Sequence, residues 1–162
     1  MKRRFAILCI LLSFSPWLKA IEKPYSVLFG RGSGLAGLDV VSFDSSGSAR
    51  ILRENQVCTF QASPEAIISL SKAIDDLHLL TLVKRYSGSM SDGAQWILII
   101  KTATESHTTY FDNQFPDSVR QFSKIVDEAF PESFLLKQKW TRITTKESEA
   151  IQNPLWDAIK DN

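Results

Sequence analysis

Trp96-Ile97-Leu98-Ile99-Ile100 is the stretch that decides the fold. Five consecutive apolar residues, three of them β-branched, lie between Asp92-Gly93 and Lys101-Thr102. That length and composition suit a buried strand, because a helix needs more residues to bury a face. Trp96, Leu98 and Ile100 would point to one side, with Ile97 and Ile99 pointing to the other. Both sides are apolar, so the strand is expected at the centre of a sheet with a cover on each face.

A chain of 162 residues fits one ordinary domain with short appendages. Its first twenty residues read as an export signal. Lys2, Arg3 and Arg4 precede the apolar run Phe5 to Phe14, Ser15-Pro16 breaks that run, and Ala20 offers a small residue at a cleavage point. Loss of residues 1–20 lowers the basic count from 19 to 15 against 18 acidic residues, a net charge of −3. No basic run survives to neutralise phosphates, so the composition argues against a nucleic-acid partner. Cys58 is then the single cysteine, and an intramolecular disulfide is excluded. With Val57 and Phe60 beside it, it reads as a packed hydrophobe; a nucleophile or an intermolecular disulfide is the alternative.

Outward from the central strand, the elements follow in order. Tyr25 to Phe29 form a first strand, and Gly30-Arg-Gly-Ser-Gly-Leu-Ala-Gly37 then sets four glycines in eight residues. Leu38 to Asp44 make a second strand, Ser45 to Ser48 a turn, and Ala49 to Arg53 a third strand that resumes at Val57 to Phe60. Ser63-Pro64-Glu65 starts a helix striped by Ile67, Leu70, Ile74 and Leu77. A polar loop, Ser87 to Gly93, leads into the central strand, which turns at Thr104-Glu105-Ser106 into a strand from His107 to Phe111. Pro116-Asp117 opens a second striped helix, and Pro131 stops it. The expected fold is therefore α+β, with an antiparallel sheet of about five strands in the order β-β-β-α-β-β-α and both helices on one face. Residues 1–20 are the signal peptide, 21–131 the α+β domain and 132–162 a C-terminal tail packed on it.

That tail holds Phe134, Leu135, Leu136, Trp140, Ile151, Leu155, Trp156 and Ile159, too many large apolar groups for a disordered segment. A last helix is expected from Asn153-Pro154. The tail either covers the sheet face left open by the two helices or serves as a docking peptide for a partner, and residues 134–159 are expected across the open face.

Motifs for chemistry are sparse. His78, His107 and Cys58 have no ligand spacing of the CxxC or HExxH kind, so neither metal nor cofactor is expected. Asp75 and Asp76 are neighbours on a helix and diverge. No GxSxG elbow occurs, and Ser33 has no histidine or acid at a diagnostic spacing. The glycine-rich loop matches neither dinucleotide nor P-loop patterns, since a strand follows it rather than a helix. It offers exposed backbone with an apolar Leu35 at a hairpin tip, a shape that could plug another protein's cleft. A merely structural loop is the alternative.

A first strand, the segment Arg31-Gly-Ser-Gly-Leu-Ala-Gly37, a strand, a helix, a central hairpin and a proline-started helix together resemble the emfourin-type family over residues 25–130. Members of that family are small bacterial inhibitors of thermolysin-like metalloproteases, with a Gly-Gly-aromatic-Ala-Gly segment after the first strand. This chain has Ser33 in place of the second consecutive glycine and Leu35 in place of the aromatic residue, and it adds an export signal and a tail. The resemblance implies a protein partner, namely a secreted or periplasmic metalloprotease. The contact residues would be Arg31, Gly32, Ser33, Gly34 and Leu35. The sequence is thus read as an exported, non-enzymatic protein-binding module, a protease inhibitor in its sharpest form, with no stable membrane insertion after cleavage. The alternatives are an envelope-associated interaction protein that uses its tail, and a small hydrolase built on Ser33 or Cys58.

Overall fold

The apolar run at 96–100 needs a covered position, and the chain gives it a place inside the sheet. In the computed structural model, which describes residues 24–33, 37–88 and 93–160, this run lies within strand β6 (Ala94–Thr102). On one side β6 pairs antiparallel with β1 (Tyr25–Ser33), and on the other with β7 (Ser106–Asp112). Ile97, Leu98 and Ile100 are fully excluded from solvent.

The other strands are β2 (Gly37–Asp44), β3 (Ser48–Arg53), β4 (Gln56–Gln61), β5 (Arg85–Ser87) and β8 (Trp140–Arg142). Among the described residues they form one eight-stranded sheet in the order β5-β7-β6-β1-β2-β3-β4-β8. The α+β class holds, but the sheet is larger than the expected five strands and is mixed, since β5 runs parallel to β7. What was read as one interrupted third strand is a hairpin, because the chain reverses at Glu54-Asn55, where Glu54 adopts φ +52°. β5 and β8 have three residues each, too few to show a period-two pattern.

Helices α1 (Pro64–Asp76) and α2 (Asp117–Ala129) lie together on the front face, as their stripes require. Ser63 Oγ accepts the Ala66 amide hydrogen at 3.2 Å, and Pro64 occupies the first turn. Their buried residues meet Tyr25, Val27, Phe29, Val41, Phe43, Leu98 and Ile100 in the larger of two cores. The short helix α3 (Glu132–Leu135) joins the same face.

The back face belongs to α4 (Thr145–Lys160), whose Leu155 sits with Leu38, Val40, Leu52, Ile97, Ile99 and Tyr110 in the second core. Two expectations change here. The helix starts at Thr145 rather than at Asn153-Pro154, because Thr144 and Glu147 cap it reciprocally. The Thr144 amide donates to Glu147 Oε2 at 2.8 Å, and the Glu147 amide donates to Thr144 Oγ1 at 3.2 Å. Pro154 lies inside the helix with its ring exposed. The tail also divides between the faces: Leu135, Phe134 and Trp140 pack into the front core, while Ile143 and the α4 residues take the back.

Candidate functional site

The glycine-rich segment forms the end of the β1–β2 hairpin. Alternation along β1 sends Tyr25, Val27, Phe29 and Arg31 to the front and leaves Gly30 and Gly32 at the back. Gly30 has a packing role, since a Cβ there would lie 2.7 Å from Leu155 Cδ1 and 2.9 Å from Leu38 Cδ1. Gly32 lets the two strands close, because a Cβ would come within 2.1 Å of the Gly37 carbonyl oxygen. Gly37 holds φ +78°, the left-handed region that glycine occupies without strain.

Arg31 is committed within the molecule. Its guanidinium donates to Asp127 Oδ2 and Oδ1 at 2.9 and 2.8 Å and to Ser123 Oγ at 2.7 Å, all on α2. It also lies 5.4 Å from the Phe29 ring centre. The bidentate fork fixes the angle between hairpin and helix. On the opposite face, Gln152 Oε1 of α4 accepts the Leu38 amide hydrogen at 3.1 Å. The base of the hairpin is therefore held from the front and from the back. Of the residues singled out in the sequence, Arg31, Gly32 and Ser33 lie on β1, with Ser33 registered against Gly37 and Ala94. Gly34 and Leu35 lie outside the described residues. The signals missed in the sequence are Asp127 and Gln152, which lie far along the chain from the groups they hold.

The groups considered for chemistry are dispersed. Cys58 is buried on β4, and burial pushes its thiol pKa up, away from the nucleophilic thiolate. His107 stands on β7, five strand positions away, on the order of 24 Å at the usual strand spacing. Its Nε2 lies 3.2 Å from Thr109 Oγ1. Along the sheet, Ser33 is registered against Ala94 and His107 against Ile100, six residues or about 20 Å apart. His78 is exposed in a turn after α1. Among the described residues, no three His, Cys, Asp or Glu side chains converge as metal ligands. No helix among them is long and apolar enough to cross a membrane.

A trough of about 470 Å³ occupies the half of the back face beside α4. Ser26, Ser42, Ser48 and Thr59 line it with hydroxyls, and Arg50, Lys101 and Asp44 add charge of both signs. It holds neither cysteine nor histidine. No protein-family model matches this sequence, and a search of curated proteins finds no match either.

Proposed function

We propose that this protein is an exported, non-enzymatic binding module that acts through the β1–β2 hairpin as an inhibitor of a thermolysin-like metalloprotease. The observation that carries this reading is the double anchorage of the hairpin base, by Arg31 to Asp127 and Ser123 in front and by Gln152 to Leu38 behind. A loop that enters a cleft loses affinity for every residue it must order on binding, and a hairpin already fixed at its base avoids much of that cost. The resemblance to the emfourin-type family points to the same segment. The tail-docking alternative is weaker, because Leu155, the residue best suited to anchor a docking helix, is already buried against the sheet.

The test is inhibition of thermolysin by the chain from residue 21 onward, alongside Leu35→Asp and Arg31→Ala. The unsubstituted chain should inhibit, and Leu35→Asp should weaken inhibition by at least about tenfold, as expected for loss of an apolar anchor. Arg31→Ala should weaken it less, through loosening of the hairpin. Inhibition indifferent to Leu35→Asp, or absent in the unsubstituted chain, would overturn the proposal.

A further inference from the structure

Helix α4 covers one half of the back face, and the lining changes character where that cover ends. The row of residues beneath it, Leu52, Val40, Gly30, Ile97 and Tyr110 on five adjacent strands, has no charge and one hydroxyl. Two residues further along the strands, the next row reads Thr59, Arg50, Ser42, Leu28, Ile99 and Thr108. The row after that holds Asp44, Ser26, Lys101 and Ser106. These two rows floor the trough of about 470 Å³, and Pro154 and Ala158 of α4 form its wall.

Side-chain length and charge set the trough apart from a plain solvated sheet face. Ser26, Ser42 and Ser106 keep the floor low at positions where strands favour the bulkier threonine. On the front face Arg31 and Arg53 each take a carboxylate. Among the described residues Arg50 and Lys101 take none. Their neighbours across the ladders are hydroxyls instead, Ser42 and Thr59 beside Arg50, and Ser26 and Ser106 beside Lys101. The carboxylate that lines the trough, Asp44, accepts the Ser46 amide and hydroxyl hydrogens, which hold it in the β2–β3 turn.

The chemistry of an occupant follows from this lining. A serine or threonine hydroxyl both donates and accepts, which is the inventory of a sugar hydroxyl. Ser42 Oγ donates to the Arg50 carbonyl at a long 3.4 Å and keeps its acceptor side. Peptides dock on sheet edges or through apolar pockets, whereas this floor is the face of strands already paired on both sides. Single-stranded nucleic acid needs aromatic platforms, and the ring of Phe43 is buried in the front core. Three strand spacings and two residues separate Arg50 from Lys101, about 16 Å between Cα atoms. A cation at each end of a hydroxyl-lined floor matches a short sugar chain that carries carboxylates.

We propose that the trough is a binding site for an acidic oligosaccharide, with Ser26 and Ser42 bonding sugar hydroxyls and Arg50 and Lys101 each pairing a carboxylate. The site lies at the opposite end of β1 and β2 from the glycine-rich segment, and it does not depend on the protease reading.

The experiment is titration of the isotope-labelled chain, from residue 21 onward, with trigalacturonate at low ionic strength. Backbone amide shifts should saturate at millimolar concentration and cluster at Ser26, Ser42, Arg50 and Lys101. Arg50→Gln and Lys101→Gln should each weaken binding about three- to fivefold, the scale of one exposed charge pair. Ser42→Val keeps both charges and the strand propensity but removes a hydroxyl and raises the floor, and it should weaken binding at least as much. Lys72→Gln, at an exposed position on α1, should leave binding unchanged. Maltotriose, triglutamate and inorganic phosphate should each bind at least about fivefold more weakly, since each lacks either the charge or the sugar hydroxyls. Missing shifts at these amides, equal binding of maltotriose, or an equal loss in Lys72→Gln overturns the proposal. Triglutamate or phosphate bound as tightly as trigalacturonate, or binding indifferent to Ser42→Val, would show that the trough reads charge alone and would overturn the sugar assignment.

Discussion

Leu155→Ala tests how α4 is seated. Leu155 is fully buried, and its Cδ1 occupies the space that a side chain on Gly30 would need. Burying a leucine contributes about 1.5–3 kcal/mol by transfer alone, and leucine-to-alanine changes in packed cores cost about 2–5 kcal/mol once the cavity is included. The floor of this site is β1 backbone at Gly30, which has no side chain to move into the void, so the loss should fall in the upper half of that range, about 4 kcal/mol. Gly30→Ala attacks the same contact from below and should cost about 1–3 kcal/mol, because Leu155 and Leu38 must give way. Combining the two puts a methyl group into the vacated space, so the double variant should be at least about 1 kcal/mol more stable than the sum of the single losses. Urea unfolding followed by far-ultraviolet circular dichroism reads all three. Detachment of α4 ahead of the sheet would appear as a second, earlier transition. A loss below about 1 kcal/mol for Leu155→Ala, or strict additivity in the double variant, would refute the seating described here.

Two further outcomes follow from the ionisable groups. Cys58 is buried with its pKa raised, so iodoacetamide at neutral pH should leave it unmodified in the folded protein and label it in urea; rapid native labelling would contradict its place on β4. Glu147 titrates below the usual glutamate range because it accepts the Thr144 amide and hydroxyl hydrogens. A lowered folded pKa means that the cap contributes above the unfolded glutamate pKa and is lost as pH falls through the folded one. Glu147→Gln should therefore lower stability at neutral pH and leave it unchanged at acid pH, so that stability from urea unfolding depends less on pH than in the unsubstituted chain.

Legibility differed element by element, for physical reasons. The central strand was readable because both of its faces are apolar, and α1 because Ser63-Pro64-Glu65 combines a cap, a preset φ and a favourable charge. The start of α4 was misplaced because Pro154 usually marks a first turn; the Thr144-Thr-Lys-Glu147 capping box was the better signal. The Glu54-Asn55 turn was hidden because no glycine announces its positive φ. As for the candidate site, its glycines stood out locally, but its anchors did not. Arg31 finds Asp127 ninety-six positions away, and no periodicity or spacing rule reaches that far.

The short outer strands also bear on how copies of this chain behave toward each other. An unpaired strand edge is a template for another chain. Gln56-Val-Cys-Thr-Phe-Gln61 is uncharged, free of proline and glycine, and built for β-pairing, the composition of segments that stack into fibrils. β8 covers Gln56 to Cys58 of that edge and brings Arg142 against Gln56. Three residues of a segment outside the central meander thus shield the most aggregation-prone border of the sheet, and a chain cut before Trp140 would expose that border to the next molecule.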